Sequence, residues 1–188
     1  MTSVASRTPS TDHSVAVANQ MHFTLATQRK LLRITGISAL LLFAQMAFIL
    51  RVLSPDIVTL QFCFTPEAFH RVLEAWQSVG VETYLRHFPF DFVFLTCYGV
   101  FGYLWATPAR VDLSDTGAFR AVAKWLLPFA ALFDLFENVI HLAMLANYAE
   151  MTPLSVAIAG TSSLMKWLLI VAFLIHLIVE FFKRRRQQ

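Results

Sequence analysis

Four apolar runs, each about twenty residues or longer, decide what this chain can fold into. A bilayer hydrocarbon core is about 30 Å thick and takes about 20 mostly apolar helical residues to cross. Stretches 34–53, 88–107, 121–148 and 154–179 meet that length. They are continuous rather than short alternating segments, so helices and not barrel strands are expected. Hydrophobic residues make up 57% of the 188 and charged residues 14%, where a soluble domain carries about 25% charged residues. With 18 Phe and a mean hydropathy of +0.59, a soluble single domain of this size could not hide so much apolar surface. Two cysteines exclude a disulfide framework, and both are expected as free thiols, Cys97 inside a span and Cys63 in a loop. The expected class is all-α, a four-helix transmembrane bundle.

Residues 1–28 are rich in Ser, Thr and Ala and lack an apolar run, so they read as a disordered tail. The membrane domain then occupies 29–182, and 183–188 form a basic tail. A cleaved signal peptide is not expected, because the start is polar and the first apolar run is long enough to span. The net charge of +3 does not point to nucleic acid, since the basic residues sit in short membrane flanks. Arg7, Arg29, Lys30, Arg33, Arg110, Arg120, Lys124 and Lys183 to Arg186 fall on one side of the four spans. Arg51, Arg71 and Arg86 fall on the other. That bias places both termini in the cytoplasm. Trp105, Trp125 and Tyr148 lie near span ends, where aromatic anchors belong.

Residues 54–87 form a long outer loop with a pattern of its own. Ile57 to Phe64 reads as extended. Thr65, Pro66 and Glu67 then read as an N-cap, a first-turn proline and an acid suited to the helix dipole. Phe69, Val72, Leu73, Trp76 and Val79 follow at helical spacing, with Gly80 as the expected C-cap and a further short turn over 81–87. An amphipathic helix therefore lies on the outer surface or caps the bundle, as a connector or as a lid.

Charges inside the spans carry the functional signal. Asp91, Asp134, Glu137 and Lys166 each lie in a run that crosses hydrocarbon. An ionised residue at the bilayer centre costs roughly 3 kcal/mol on insertion scales, so these must face inward, pair, or be neutral. Asp134 and Lys166 fall near the midplane of neighbouring antiparallel spans, and the simplest account pairs them. Asp134, Glu137, Asn138 and His141 are spaced i, i+3, i+4 and i+7 and form one polar stripe. His87 and Tyr98 flank Asp91 on its own helix face. Asp91, Tyr98, Asp134, Glu137, Asn138, His141 and Lys166 are therefore the candidate ligand-binding residues. Asp91, Glu137 and His141 are suitable metal-ligand types, but without a paired metal motif no metal is expected. No phosphate loop, dinucleotide fingerprint or heme motif occurs, and no cofactor is expected. Ser162 and Ser163 lack the context of a nucleophile. Gly99, Gly102 and the segment from Ala157 to Gly160 suit close helix approach.

Taken together, the run from Tyr84 to Phe92, Tyr98, the stretch from Phe133 to Asn138 and the stretch from Leu164 to Trp167 resemble a group of small bacterial four-span membrane proteins. That group has an aspartate opening span two, D-x-x-E-N in span three and a lysine in span four. The resemblance covers roughly 34–180 and implies a bacterial plasma membrane location, with no activity to transfer. In layout the chain also resembles the EXPERA group, which includes sterol isomerases and the sigma-2 receptor. That likeness rests on four spans, acidic side chains and an outer segment after span one, without an alignable motif.

The functional expectation is a polar intramembrane pocket that binds a small amphipathic or lipid-like molecule, with membrane lipids as the other partners. An isomerase or lipid-modifying enzyme using the same carboxylates and histidine is the second reading. A structural or assembly factor with a purely packing polar core is the third. A proton-coupled carrier ranks last, since the four spans show no internal duplication.

Overall fold

In a computed structural model that describes residues 10–107 and 118–186, the chain is helical and no strand occurs among those residues. The elements are α1 (Ser10–Leu50), α2 (Ile57–Gln61), α3 (Pro66–Ala106), α4 (Ala118–Ala146), a 3-10 turn (Tyr148–Glu150) and α5 (Pro153–Arg186). Four stretches are long and apolar enough to cross a membrane: Leu25–Leu50, Pro66–Ala106, Ala121–Ala146 and Pro153–Lys183. Large apolar side chains on their outer faces are bare, Leu40, Val139 and Leu168 among them. A surface so apolar is at rest in lipid and not in water. The chain is an integral membrane protein with an all-α four-helix architecture.

Several boundaries differ from those read in the sequence. Residues 10–28, expected as part of a disordered tail, continue α1, and 1–9 lie outside the described residues. At the end of that stretch, Gln28 is tied to α3. Its side-chain amide donates to the carbonyls of Leu104 and Thr107 at 3.3 and 3.1 Å, covering acceptors that the end of α3 leaves open. At the other terminus α5 runs on through Lys183 to Arg186, so the basic tail is helical as far as it is described.

Ile57–Gln61, expected as extended, is the short helix α2. Asp56 caps it, accepting from the Thr59 amide at 2.9 Å and the Thr59 hydroxyl at 2.8 Å, and Leu60 is fully buried beneath. Thr65 and Pro66 open α3 as expected. Phe69, Val72, Leu73 and Trp76 then pack with Leu53, Leu60, Met144 and Val156 in one core, so this arm caps the bundle. Trp76 also donates its indole N–H to the Pro55 carbonyl at 2.6 Å.

The break after this arm falls at Gln77 (φ 54°, ψ −171°) and not at Gly80. The bend turns the helix face, and Val79, expected inside, is 73% exposed. Gly80 is helical, and its missing side chain matters for space: a Cβ there would stand 2.6 Å from the Trp76 Cβ. The turn expected over 81–87 is continuous helix, so the cap arm and span two form one bent element.

The helices pack serially, α1 on α3, α3 on α4 and α4 on α5, while α1 and α5 barely meet. Gly102 lets α3 approach α4, since a Cβ there would fall 2.4 Å from the Leu127 Cβ; Gly99 faces Ala131 in the same seam. One apolar core gathers at the loop end around Leu60, Phe69 and Met144. A second forms toward the chain termini around Leu127, Ala130 and Phe173. The charged side chains lie between the two.

Candidate functional site

α4 contributes the axis of the site. Asp134, Glu137, Asn138 and His141 recur at helical spacing on its inner face, and none is more than 4% exposed. Lys166 reaches in from α5 and is bound by two carboxylates at once, with Nζ 2.9 Å from Asp134 Oδ1 and 2.6 Å from Glu137 Oε2. The pairing with Asp134 expected from the sequence is present, and Glu137 shares the same ammonium. From α3, Tyr98 donates its hydroxyl to the other Asp134 oxygen at 3.0 Å. Asn138 donates to Asp91 Oδ2, tying α4 to α3 a second time.

A histidine–tyrosine branch continues toward the loop end. The Tyr84 hydroxyl and His141 Nδ1 are 2.7 Å apart, and both residues are buried. His87 Nδ1 bonds the Tyr84 carbonyl. A carbonyl can only accept, so the proton of that ring lies on Nδ1 and its Nε2 is an acceptor while the ring is neutral. Tyr84 was not among the candidates read from the sequence. Its spacing to His87 and Asp91, three and then four residues, extends the polar face of α3 by one turn, and that was the available signal. Ser163 spends its hydroxyl on the Ala159 carbonyl of its own helix at 3.0 Å. His176, fully buried, packs beside Phe173, away from the cluster.

Where α1 and α5 fail to close, a cavity of about 420 Å³ remains. Its walls are Phe43, Met46, Ala47 and Leu50 of α1, Phe94 of α3, and Trp167, Ile170 and Leu174 of α5. Ile57 and Gln61 of α2 border it toward the loop, and His87, Asp91, Asp134 and Lys166 supply its polar side. Gln61 is held there by Trp167, whose indole donates to its side-chain oxygen at 3.1 Å. Of the residues expected at a ligand site, Asp91, Asp134 and Lys166 therefore reach the cavity. Tyr98, Glu137 and Asn138 do not line it but hold Asp134, Lys166 and Asp91, and His141, also outside it, is paired with Tyr84. Asp91, Glu137 and His141 do not converge, and among the described residues no group of three metal-ligating side chains forms. The cap arm Pro66–Trp76 does not border this cavity; α2 is the element at its rim.

The fold and its buried charges define a polytopic helical membrane protein with an ion-paired core and a side cavity. No family model, curated protein or solved structure matches the chain.

Proposed function

We propose that this protein binds a small amphipathic or lipid-like molecule in the cavity between α1 and α5, with the tail along the apolar walls and the head at Asp91 and His87. The observation that carries the reading is the cavity itself. Its volume of about 420 Å³ falls within the roughly 300–1,000 Å³ of small-molecule sites, which combine apolar walls with a few convergent polar groups. Position supports the same reading, because a gap between two spanning helices is reached from the bilayer, where such molecules dissolve. The deeper polar groups favour a structural role beside binding: Lys166 is engaged by two carboxylates, and Tyr84 and His141 engage each other. The basic-residue bias of the sequence supports an orientation with both termini cytoplasmic, and the resemblance to bacterial four-span proteins supports a bacterial plasma membrane.

Native mass spectrometry of the protein extracted in mild detergent tests the binding. A defined adduct should accompany the wild type and be absent from Ala47→Trp, which fills the cavity from an exposed position on α1. A wild type without an adduct, or an adduct unchanged in Ala47→Trp, overturns the reading.

A further inference from the structure

We propose that the cavity selects an amphiphile with a cationic amine head and rejects anionic heads. The inference rests on the proposed binding function and adds the chemistry of the ligand. Its basis is which polar atoms the protein leaves unspent. Asp134 has both oxygens engaged, one by Lys166 and one by Tyr98. Lys166 is committed to Asp134 and Glu137. Gln61 Oε1 is taken by Trp167. What remains toward the cavity is the second Asp91 oxygen and a His87 lone pair as acceptors, side by side on α3, with the Gln61 amide N–H groups and the third Lys166 N–H as donors on α2 and α5. Asp91, 8% exposed, uses one oxygen on Asn138 and has no ion pair with a cation among the described residues. His87, 3% exposed, has its Nδ1 proton on a carbonyl, so its neutral ring offers only a lone pair on Nε2.

These two residues stand at i and i+4 on α3, where side chains lie one above the other on one helix face. A head that brings N–H donors satisfies both. A carboxylate or phosphate head brings only acceptors and meets the Asp91 carboxyl at close range. The charge balance points the same way, because Asp91, Asp134 and Glu137 are three carboxyl groups around one lysine. An added positive charge narrows that excess and an added negative charge widens it. Opposite charges brought together out of water attract far more strongly than at a wet surface.

Thermal unfolding of the full chain in detergent with dodecylamine, dodecanol or dodecanoate tests this, since the three probes share one tail and differ in the head. Ligand that binds only the folded protein raises its melting temperature. Shifts are read against Ala47→Trp, which removes general detergent effects. Dodecylamine should stabilise the wild type most and dodecanoate least, a difference of about tenfold or more in apparent affinity. In Asp91→Asn the amine should lose its advantage over the alcohol. Equal shifts for all three probes, or the largest for dodecanoate, overturn the head-group assignment while leaving the cavity as a binding site. An amine advantage that persists in Asp91→Asn also overturns it. Should no probe shift the wild type beyond Ala47→Trp, the binding function fails, and this assignment with it.

Discussion

Lys166 holds two carboxylates with one ammonium, and that arithmetic sets what its replacement does. Lys166→Met leaves Asp134 and Glu137 facing each other in a buried site without a cation. Breaking a buried pair by removing one partner costs about 3–5 kcal/mol, and two stranded acids place this variant at the upper end. Asp134→Leu with Lys166→Met removes a pair but strands Glu137, so it should recover only part of the loss. Adding Glu137→Leu should recover more. Chemical unfolding in detergent across this series measures the coupling; additive effects would mean that the three side chains act independently. The sequence showed the Asp134–Lys166 partnership through opposite signs at matching depth. It did not show that Glu137 shares the lysine, because one helical turn separates the two acids and rotamers decide whether both can reach.

Cys63 carries a second prediction at this scale. It is buried, its thiol donates to the Thr59 carbonyl at 3.3 Å, and burial pushes its pKa up. The thiolate is the reactive form. Impermeant maleimides should therefore label Cys63 slowly in the folded protein and quickly once it is unfolded. Fast labelling of the native state would show that the segment around α2 opens.

Among the elements, α3 is the one whose break decides the shape of the loop end. Gln77 lies in a backbone region that is nearly exclusive to glycine. Gln77→Gly should therefore raise stability by roughly 1 kcal/mol net of glycine's extra freedom in the unfolded chain, read as a higher melting temperature. A drop would mean that the bend is not a strained position. Gly102→Ala should do the opposite, because its Cβ would fall 2.4 Å from the Leu127 Cβ; overpacking of this kind costs about 1–3 kcal/mol. Gly99→Ala, with 3.1 Å to the Ala131 Cβ, should cost less.

α2 depends on its cap. The two Thr59 hydrogen bonds hold the Asp56 carboxyl below its usual pKa. A group whose pKa is lowered by folding contributes fully above its unfolded value and loses that contribution as pH falls through the folded one. α2 should therefore loosen as the medium is acidified below about pH 4, and Asp56→Ala should loosen it at neutral pH. Hydrogen exchange at the Leu60 and Gln61 amides reports both effects.

The elements differ in how far the sequence revealed them. The four spans were legible because hydrocarbon imposes one length and one composition on every crossing helix. The arm from Pro66 to Trp76 was legible from its cap and its apolar spacing. α2 was not, since five residues are too few for a period and only the Asp56 cap marks it. The pattern puts the break at Gly80 and not at Gln77, because a glycine in a helical pattern reads as a stop, whereas here it makes room for Trp76. Gln28 reads as part of a tail because its partners are the carbonyls at the far end of α3, which no local pattern reveals.

At the scale of the whole molecule, two apolar cores enclose a charged layer, and a helix ring left open between α1 and α5 exposes part of that layer to the cavity. The seven polar residues expected at a site are all buried, in three bonded groups (Tyr98, Asp134, Glu137 and Lys166; Asp91 and Asn138; His141 with Tyr84), and only three of the seven line the cavity. Which three depends on the failure of α1 and α5 to pack, and no single-helix periodicity encodes that. Reporter fusions to each terminus should place both in the cytoplasm, as the basic-residue bias requires; a terminus active outside the cytoplasm contradicts that orientation.

Photocrosslinking within membranes tests the central claim most directly. A benzoylphenylalanine at position 43 stands on the cavity wall, and one at position 136 stands on an exposed face of α4 away from it. Mass spectrometry of the adducts should find one defined amphiphile at position 43 that is absent at position 136, where only bulk lipid is captured. The same mixture of bulk lipids at both positions would contradict a selective site between α1 and α5.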